Sequence, residues 1–259
     1  MLFVFDLDGT ICFDGKQIPS EIQTALNELM AQGHQLIFAS ARPIRDLLPL
    51  LTDTLQNALL IGGNGSITQV NQQIQANCPI AQDDFHQIKQ WINEFDLDYL
   101  ADDIWHYSKR ISQPHSIEHK IDSAKLAENR PLFEISHPIK TIFLNLTEEH
   151  YIQLKSKLVE LNVNLIEHSE PNGLYNIDIT VKNINKYSTL LNLIGEQPYI
   201  AFGNDMNDIE LLKHAIYSIC VGDFEPLQTI SAEQLAPNPQ LIAEKIRQLS
   251  SENQAKFDL

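Results

Sequence analysis

Two carboxylates one residue apart, Asp6 and Asp8, sit in the segment Asp6-Leu7-Asp8-Gly9-Thr10. Carboxylates this close repel, so a cation must keep both ionised, and a hard divalent ion with oxygen ligands suits them best; magnesium is the first candidate. With its charge compensated, one carboxylate can attack phosphorus. The other can give a proton to the leaving oxygen and later take one from water. Gly9 lets the chain turn sharply between them. Two aspartates closing a turn after a strand would explain this segment alone equally well. Three further clusters weigh against that simpler reading. Ser40 and Arg42 offer a hydroxyl and a guanidinium that can grip a phosphate, helped by backbone amides at a helix start. Lys186 begins an expected helix, where the dipole repels a cation, so an anionic partner should hold it. Lys182 carries a weaker version of the same signal. Finally, Gly203-Asn204-Asp205-Met206-Asn207-Asp208 supplies more oxygen ligands, with Asp208 also suited to capping the next helix.

The elements around these clusters give them a common address. Leu2–Phe5 is a continuous apolar run, as a strand buried on both faces requires. Ser20 with Gln23 reads as a capping box opening a helix with the apolar stripe Ile22, Ala25, Leu26, Leu29 and Met30, stopped at Gly33. A strand over Leu36–Ala39 follows, completing a βαβ unit whose strand ends share one side. Pro43 suits a first helical turn, and Ala58–Ile61 reads as another strand. Ligands bind beyond the carboxyl ends of such strands, which is where the polar clusters fall. The Gly62-Gly63-Asn64-Gly65 turn and the alternation over Ser66–Ala76 predict a hairpin. Residues 81–179 then read as a separate α+β module: helix Asp84–Phe95, a strand, helix Ser116–Glu128, strand Thr141–Leu146, helix Glu148–Leu161, and strands Val163–Ile166 and Leu174–Ile179. The βα alternation resumes with helix Lys186–Ile194, strand Tyr199–Phe202, a helix from Asp208, strand Tyr217–Val221 and helix Leu241–Leu249. The expected fold is therefore α/β, a Rossmann-like doubly wound parallel sheet interrupted by an α+β insertion, with boundaries at 1–79, 80–181 and 182–259.

Bulk properties narrow the partners. A formal net charge of -16 over 259 residues repels polyanions and argues against nucleic acid or an anionic membrane. The three cysteines, odd in number and far apart, indicate neither a disulfide framework nor a zinc site, which fits a reducing cytoplasm. No apolar stretch approaches membrane-spanning length. The nine histidines show no ligand spacing, so His115 and His119 are expected on the surface. Trp105, His106, Tyr107, Lys109 and Arg110 are aromatic and cationic candidates for the substrate side of the insertion. The chain leaves oligomeric state unread.

Asp6-Leu7-Asp8-Gly9-Thr10, Ser40-Ala41-Arg42, Lys186 and Gly203–Asp208 together resemble the four ordered motifs of the haloacid dehalogenase superfamily. The insertion after Asn64-Gly65 is similar to the large α/β cap of its Cof-type sugar-phosphatase branch. That resemblance implies a magnesium-dependent phosphatase acting on a small phosphorylated metabolite. It implies Asp6 as nucleophile and metal ligand, and Asp8 as general acid and base that also lends its backbone carbonyl to the metal. Thr10 would orient Asp8, Ser40 would bind the transferring phosphoryl group, and Lys186 would steady that group and Asp6. Gly9, Thr10, Ala41, Arg42 and Asn207 are the implied substrate contacts. The metal set is Asp6, Asp8, Asn204, Asp205 and Asp208. Asn204 departs from the branch, which usually has aspartate there, so Asp205 or Asp208 is left as the stronger ligand. Sugar phosphates, pyridoxal phosphate and flavin mononucleotide are the implied substrate range. A phosphomutase using the same intermediate, or a non-catalytic sensor of a phospho-ligand, stays open.

Overall fold

The computed structural model describes residues 1–251. In chain order its elements are β1 (Leu2–Phe5), α1 (Ser20–Ala31), β2 (Gln35–Ala39), α2 (Ile44–Leu47), β3 (Leu59–Gly62), β4 (Ile67–Val70) and β5 (Gln73–Ala76). Next come α3 (Gln82–Glu94), β6 (Asp98–Asp102), β7 (Tyr107–Arg110), β8 (Lys140–Leu146), α4 (Glu148–Leu158), β9 (Val163–Ser169) and β10 (Tyr175–Val181). The chain ends with α5 (Lys186–Ile194), β11 (Tyr199–Gly203), α6 (Ile209–Lys213), β12 (Tyr217–Val221), α7 (Glu225–Gln228), β13 (Glu233–Leu235) and α8 (Pro239–Ser251).

These strands build two sheets. The first has the order β13-β12-β11-β1-β2-β3-β4-β5. It is parallel from β13 to β3, then turns antiparallel through the β4–β5 hairpin. Its central strand shows why: all four side chains of β1 are buried, so both faces need cover. Phe3 and Phe5 enter the core roofed by α1 and α8, whose stripes Ile22, Leu26, Leu29 and Ile242, Ile246, Leu249 are buried. Leu2 and Val4 face the opposite core with Leu190, Leu211 and Leu212. Each such side chain contributes about 1.5–3 kcal/mol on burial. Phe5 also stacks on Phe202 at 4.8 Å between centroids, tying β1 to β11. Strands added after β1 run outward through β2, and those after β11 run the other way, so the order reverses between these two neighbours. A crevice forms at such a reversal.

The second sheet, β7-β6-β8-β10-β9, is antiparallel throughout. One face buries Phe85, Ile88, Ile92 of α3 and Leu154, Leu158 of α4 against Tyr99, Phe143 and Ile177. The other face carries Leu100, Ile142 and Leu144 under Ile121.

Several local expectations are corrected. Ser20 does not cap α1; Pro19 holds that position, and Gln23 Nε2 instead donates to the Ile18 carbonyl at 2.6 Å. The segment Ser116–Glu128 is not a helix. It holds a single 3₁₀ turn over Ser116–Lys120, after which Asp122 and Lys125 adopt φ of +45° and +54°. The Asp122 carboxylate accepts from the amides of Leu126 and Ala127, offering the backbone an alternative to helical pairing. One expected strand between α3 and this segment is a hairpin, β6–β7. Strand β13 and helix α7 carried no recognised signal.

Candidate active site

Asp6 is the first residue past β1, and its amide still pairs with the Phe202 carbonyl at 2.9 Å, so sheet geometry fixes its backbone. The side chain is 6% exposed. Lys186, the first residue of α5, has no exposed side-chain surface; its Nζ donates to Asp6 Oδ1 at 2.6 Å and to Asp208 Oδ1 at 2.7 Å. The buried ammonium thus finds the anionic partners that its position against the α5 dipole requires. Asp208 Oδ2 accepts from the amides of Asn204 at 3.0 Å and Asp205 at 3.3 Å. Burial, with Asp208 adding to it, pushes the Asp6 carboxyl up to about 7 against the pull of Lys186 and Thr10. Burial alone would lower Lys186, but Asp208 and Asp6 outweigh it and raise the ammonium above its ordinary value.

Asp208 holds the N-cap position of α6 without a side-chain cap bond to it; its carboxylate is an ion-pair hub and the N3 member of a capping box with Asp205. The capping carboxylate in this loop is that of Asp205, which accepts from the Met206 amide at 2.7 Å and is itself exposed. Asn204 occupies the place beside Asp6. One terminal atom of its amide lies 3.0 Å from Asp6 Oδ2, 3.1 Å from the Asp8 carbonyl oxygen and 3.1 Å from Thr10 Oγ1. With nitrogen at that point, the amide donates to all three. With oxygen there, the amide oxygen faces the carboxylate and carbonyl oxygens close to the ~3.0 Å edge of an octahedron built on ~2.1 Å magnesium bonds. The donor chemistry is hard oxygen without thiolate or imidazole, which suits magnesium. Among the described residues no three His, Cys, Asp or Glu side chains group to hold a metal. Magnesium does not need that, since one or two carboxylates plus water and substrate phosphate usually complete its shell. Gly9 makes the convergence possible: its φ is +84°, and a Cβ there would lie 2.2 Å from Asn204 Nδ2.

Thr10 Oγ1 donates to Asp6 Oδ2 at 2.8 Å, so it orients Asp6 and not Asp8. Asp8 is clasped by Arg42, with Nε to Oδ2 at 2.7 Å and Nη2 to Oδ1 at 2.6 Å. Burial would raise the Asp8 carboxyl, but this fork outweighs it and holds the group below the usual carboxylate range. Arg42, expected to reach a phosphate, spends its bidentate face on Asp8 here. Ser40 follows β2, is 1% exposed, and accepts from the Arg42 amide at 3.1 Å. Asn207 Nδ2 donates to Asn64 Oδ1 at 3.0 Å.

Asp6, Asp8, Ser40, Ala41, Arg42, Asn204, Asp205 and Asn207 line one cavity of about 340 Å³. Its far wall comes from the second sheet and its loops, including Asp102, Lys120, Lys140, His168 and Asp178. Sequence reasoning missed all five, together with Asp46 and Asn64, because they reach the cavity through tertiary docking and carry no local spacing signal. The exception is Asn64, whose Asn-Gly context marked a turn and whose φ is +55°. The expected aromatic and basic group is corrected. Tyr107 packs over Arg45 at 4.8 Å, Trp105 Nε1 donates to the Leu126 carbonyl, and Arg110 donates to the Leu97 carbonyl, so none of them lines the cavity. His115 is also not a surface group: its side chain is 8% exposed and accepts from the Ile117 amide.

The family model for haloacid dehalogenase-like hydrolases matches residues 3–239. The chain belongs to that family. It is therefore an enzyme, a hydrolase of the haloacid dehalogenase type. The 5-amino-6-(5-phospho-D-ribitylamino)uracil phosphatase YitU of Bacillus subtilis is 21% identical over 241 residues, covering 86% of each chain. Among solved structures, a haloacid dehalogenase-like hydrolase from Bacteroides thetaiotaomicron matches with TM-score 0.81 and 23% identity, covering 96% of this chain and 98% of that one. The subclass IIB sugar phosphatase BT4131 matches with TM-score 0.72 and 20% identity over the same shares. At these identities the structural likeness bears on the fold: a parallel-sheet core with a separate antiparallel sheet. No helix among the described residues is long and apolar enough to cross a membrane.

Proposed function

We propose that this hydrolase is a magnesium-dependent phosphatase that cleaves small phosphorylated metabolites, sugar phosphates or similar, through an aspartyl phosphate on Asp6. The observation that carries the reading is the convergence on Asp6: a buried carboxylate with the Lys186 ammonium at 2.6 Å on one oxygen and Thr10 at 2.8 Å on the other. Such a group is oriented, charge-compensated and shielded from bulk water, as a nucleophile toward an anionic ester must be. Asp6, the Asp8 carbonyl and Asn204 would hold magnesium, with Asp205 and Asp208 flanking. When bound, the ion supplies charge neutralisation for the phosphoryl oxygens.

Asp6 forms the new bond to phosphorus as the ester P–O bond breaks, and Asp8 gives its proton to the departing oxygen. Asp8 then takes a proton from the water that hydrolyses the acyl phosphate, restoring the Asp6 carboxylate. For either transfer Asp8 must leave the Arg42 fork and turn to the ester, and before the first its carboxylate takes up a proton from solvent once that fork is open. Ser40 and the amides after it bind the phosphoryl group, and Lys186 keeps Asp6 in line. Gly9, Ala41, Arg42 and Asn207 complete the phosphate side. The activities for which YitU and BT4131 are named support a phosphorylated polyol or sugar as substrate class. Residues 1–79 and 182–251 form the core in this reading, and 80–181 an inserted cap that closes the cavity; the last stretch expected in the core, 252–259, lies outside the described residues. The setting is a reducing cytoplasm, which the free Cys12, Cys78 and Cys220 suit.

Phosphate release from a panel of metabolites tests the reading. Hydrolysis should stop with a chelator and return with magnesium. Asp6→Asn should lower kcat by about 10³-fold or more in protein whose thermal unfolding is unchanged. Near-normal turnover in that variant would overturn the assignment.

A further inference from the structure

A second cavity of about 380 Å³ adjoins the first, and the two share Ile117, Lys120, Lys140, His168 and Asp178 as common walls. Its ionisable lining is Lys120, Lys140, His115, His119 and His168 against Glu170 and Asp178. A lobe with that balance stands out in a chain of net charge -16. At its junction with the catalytic cavity sits Lys140, the first residue of β8, whose side chain is 7% exposed.

Its ammonium has three N–H donors. One reaches the Ala41 carbonyl at 3.1 Å, and the nearest carboxylate oxygen, on Asp178, is 3.8 Å away. Lys186 makes the contrast plain: with no exposed side-chain surface, it has carboxylates at 2.6 and 2.7 Å. The neighbour of Lys140 across the ladder is Asp102, but that carboxylate is taken by Arg45 at 2.7 Å. Lys120 is more open, its side chain 42% exposed, and its closest carboxylate is Asp8 at 3.9 Å, which the Arg42 fork already holds. Glu170 is engaged by Asn176 at 2.7 Å and faces His115. A buried ammonium left this loosely paired is costly unless an anion completes it. A neutral hydroxyl would satisfy a donor but not the charge.

We infer that Lys140 is a specificity-determining residue that pairs with a second anionic group, a carboxylate or a further phosphate, on the leaving portion of the substrate. This rests on the phosphatase reading above, and it narrows the substrates to phosphomonoesters whose alcohol itself carries negative charge. The esterified phosphate lies at Asp6, and the second anion lies toward the adjoining lobe, with Lys120 as the supporting cation.

The test compares substrates that differ only in that anion: 3-phosphoglycerate against glycerol 3-phosphate, and 6-phosphogluconate against glucitol 6-phosphate. For the native enzyme with magnesium, kcat/KM should favour the carboxylate-bearing member of each pair by about tenfold or more. In Lys140→Met that ratio should fall to about one, chiefly through KM, and Lys140→Arg should keep most of it. A ratio near one in the native enzyme, or a ratio unchanged in Lys140→Met, overturns the inference. A binding arm separates this failure from failure of the phosphatase reading. 3-Phosphonopropionate should raise the melting temperature of the native protein more than ethylphosphonate does, and the gap should vanish in Lys140→Met. If no ester is hydrolysed yet that gap is seen, the phosphatase reading falls and the anion site stands. Equal shifts by the two phosphonates sink the site.

Discussion

Lys186 has no exposed side-chain surface and shares one ammonium between the carboxylates of Asp6 and Asp208. Removing the cation would leave two buried acids with nothing between them, a loss of roughly 3–5 kcal/mol for a broken buried ion cluster. Lys186→Met should therefore lower the urea unfolding midpoint by that equivalent. Adding Asp208→Asn should recover part of it, because one of the repelling charges is gone; simple additivity in the double variant would contradict this coupling. At this scale the sequence was informative where a polar residue ends a strand. Asp6, Ser40 and Asn204 were found because β1, β2 and β11 are short apolar runs with an abrupt polar edge, and Lys186 because a lysine at a helix start needs an explanation. Asp208 reads both as a metal ligand and as a helix cap, since an aspartate at a helix start gives the same local signal whether it bonds forward or back. Only the folded chain shows it bonding back to the Asn204 and Asp205 amides and across to Lys186.

Among the elements, β6 is pinned at its first residue. Asp98 Oδ1 accepts from the Ser112 amide at 2.8 Å and Oδ2 from Asn145 Nδ2 at 2.9 Å. Burial would raise the Asp98 carboxyl, but these bonds outweigh it and keep the group below its ordinary value. The sign follows directly: with the folded value under the unfolded one near 3.9, ionisation stabilises the fold above that value and the benefit fades as pH falls through the folded value. The stability gap between the native protein and Asp98→Asn should thus be largest near pH 7 and shrink below about pH 4, as read from urea midpoints across pH; a pH-independent gap would exclude this linkage. Regular strands and long helices were legible from period alone, as α5 and β12 illustrate. The segment Ser116–Glu128 misled because its apolar residues Ile117 and Ile121 do fall at helical spacing. They serve a different purpose, packing on the face of the second sheet that is turned to the cavity, and the left-handed residues that prevent a helix leave no pattern in the sequence.

Across the whole molecule, the second sheet holds the core through one short stretch. Lys140 donates to the Ala41 carbonyl, Arg45 donates to Asp102 and to the Trp105 carbonyl, and Asp46 accepts from the Asp122 amide at 2.8 Å. Arg45 has no exposed side-chain surface and also pairs with Asp46 at 2.8 Å. Arg45→Met would strand two acids of 6% and 1% side-chain exposure. It is expected to cost roughly 3–5 kcal/mol, and to speed amide hydrogen exchange in residues 41–47 and 100–107 more than in α8. Uniform acceleration would argue against a local tether. Apart from the neighbouring Arg45–Asp46 pair, none of these partnerships could be read beforehand, since each joins residues dozens of positions apart with no spacing rule between them.

The grip has a consequence for anyone exchanging modules between relatives. The same few residues that follow β2 carry Ser40 into the cavity and accept the far sheet's hold, so the heading of that loop is set partly by the second sheet. A chimaera that transplants a foreign second sheet onto this one must bring stand-ins for Asp102, Lys140 and the amide of Asp122. Otherwise it inherits the acids of this site with their aim spoiled.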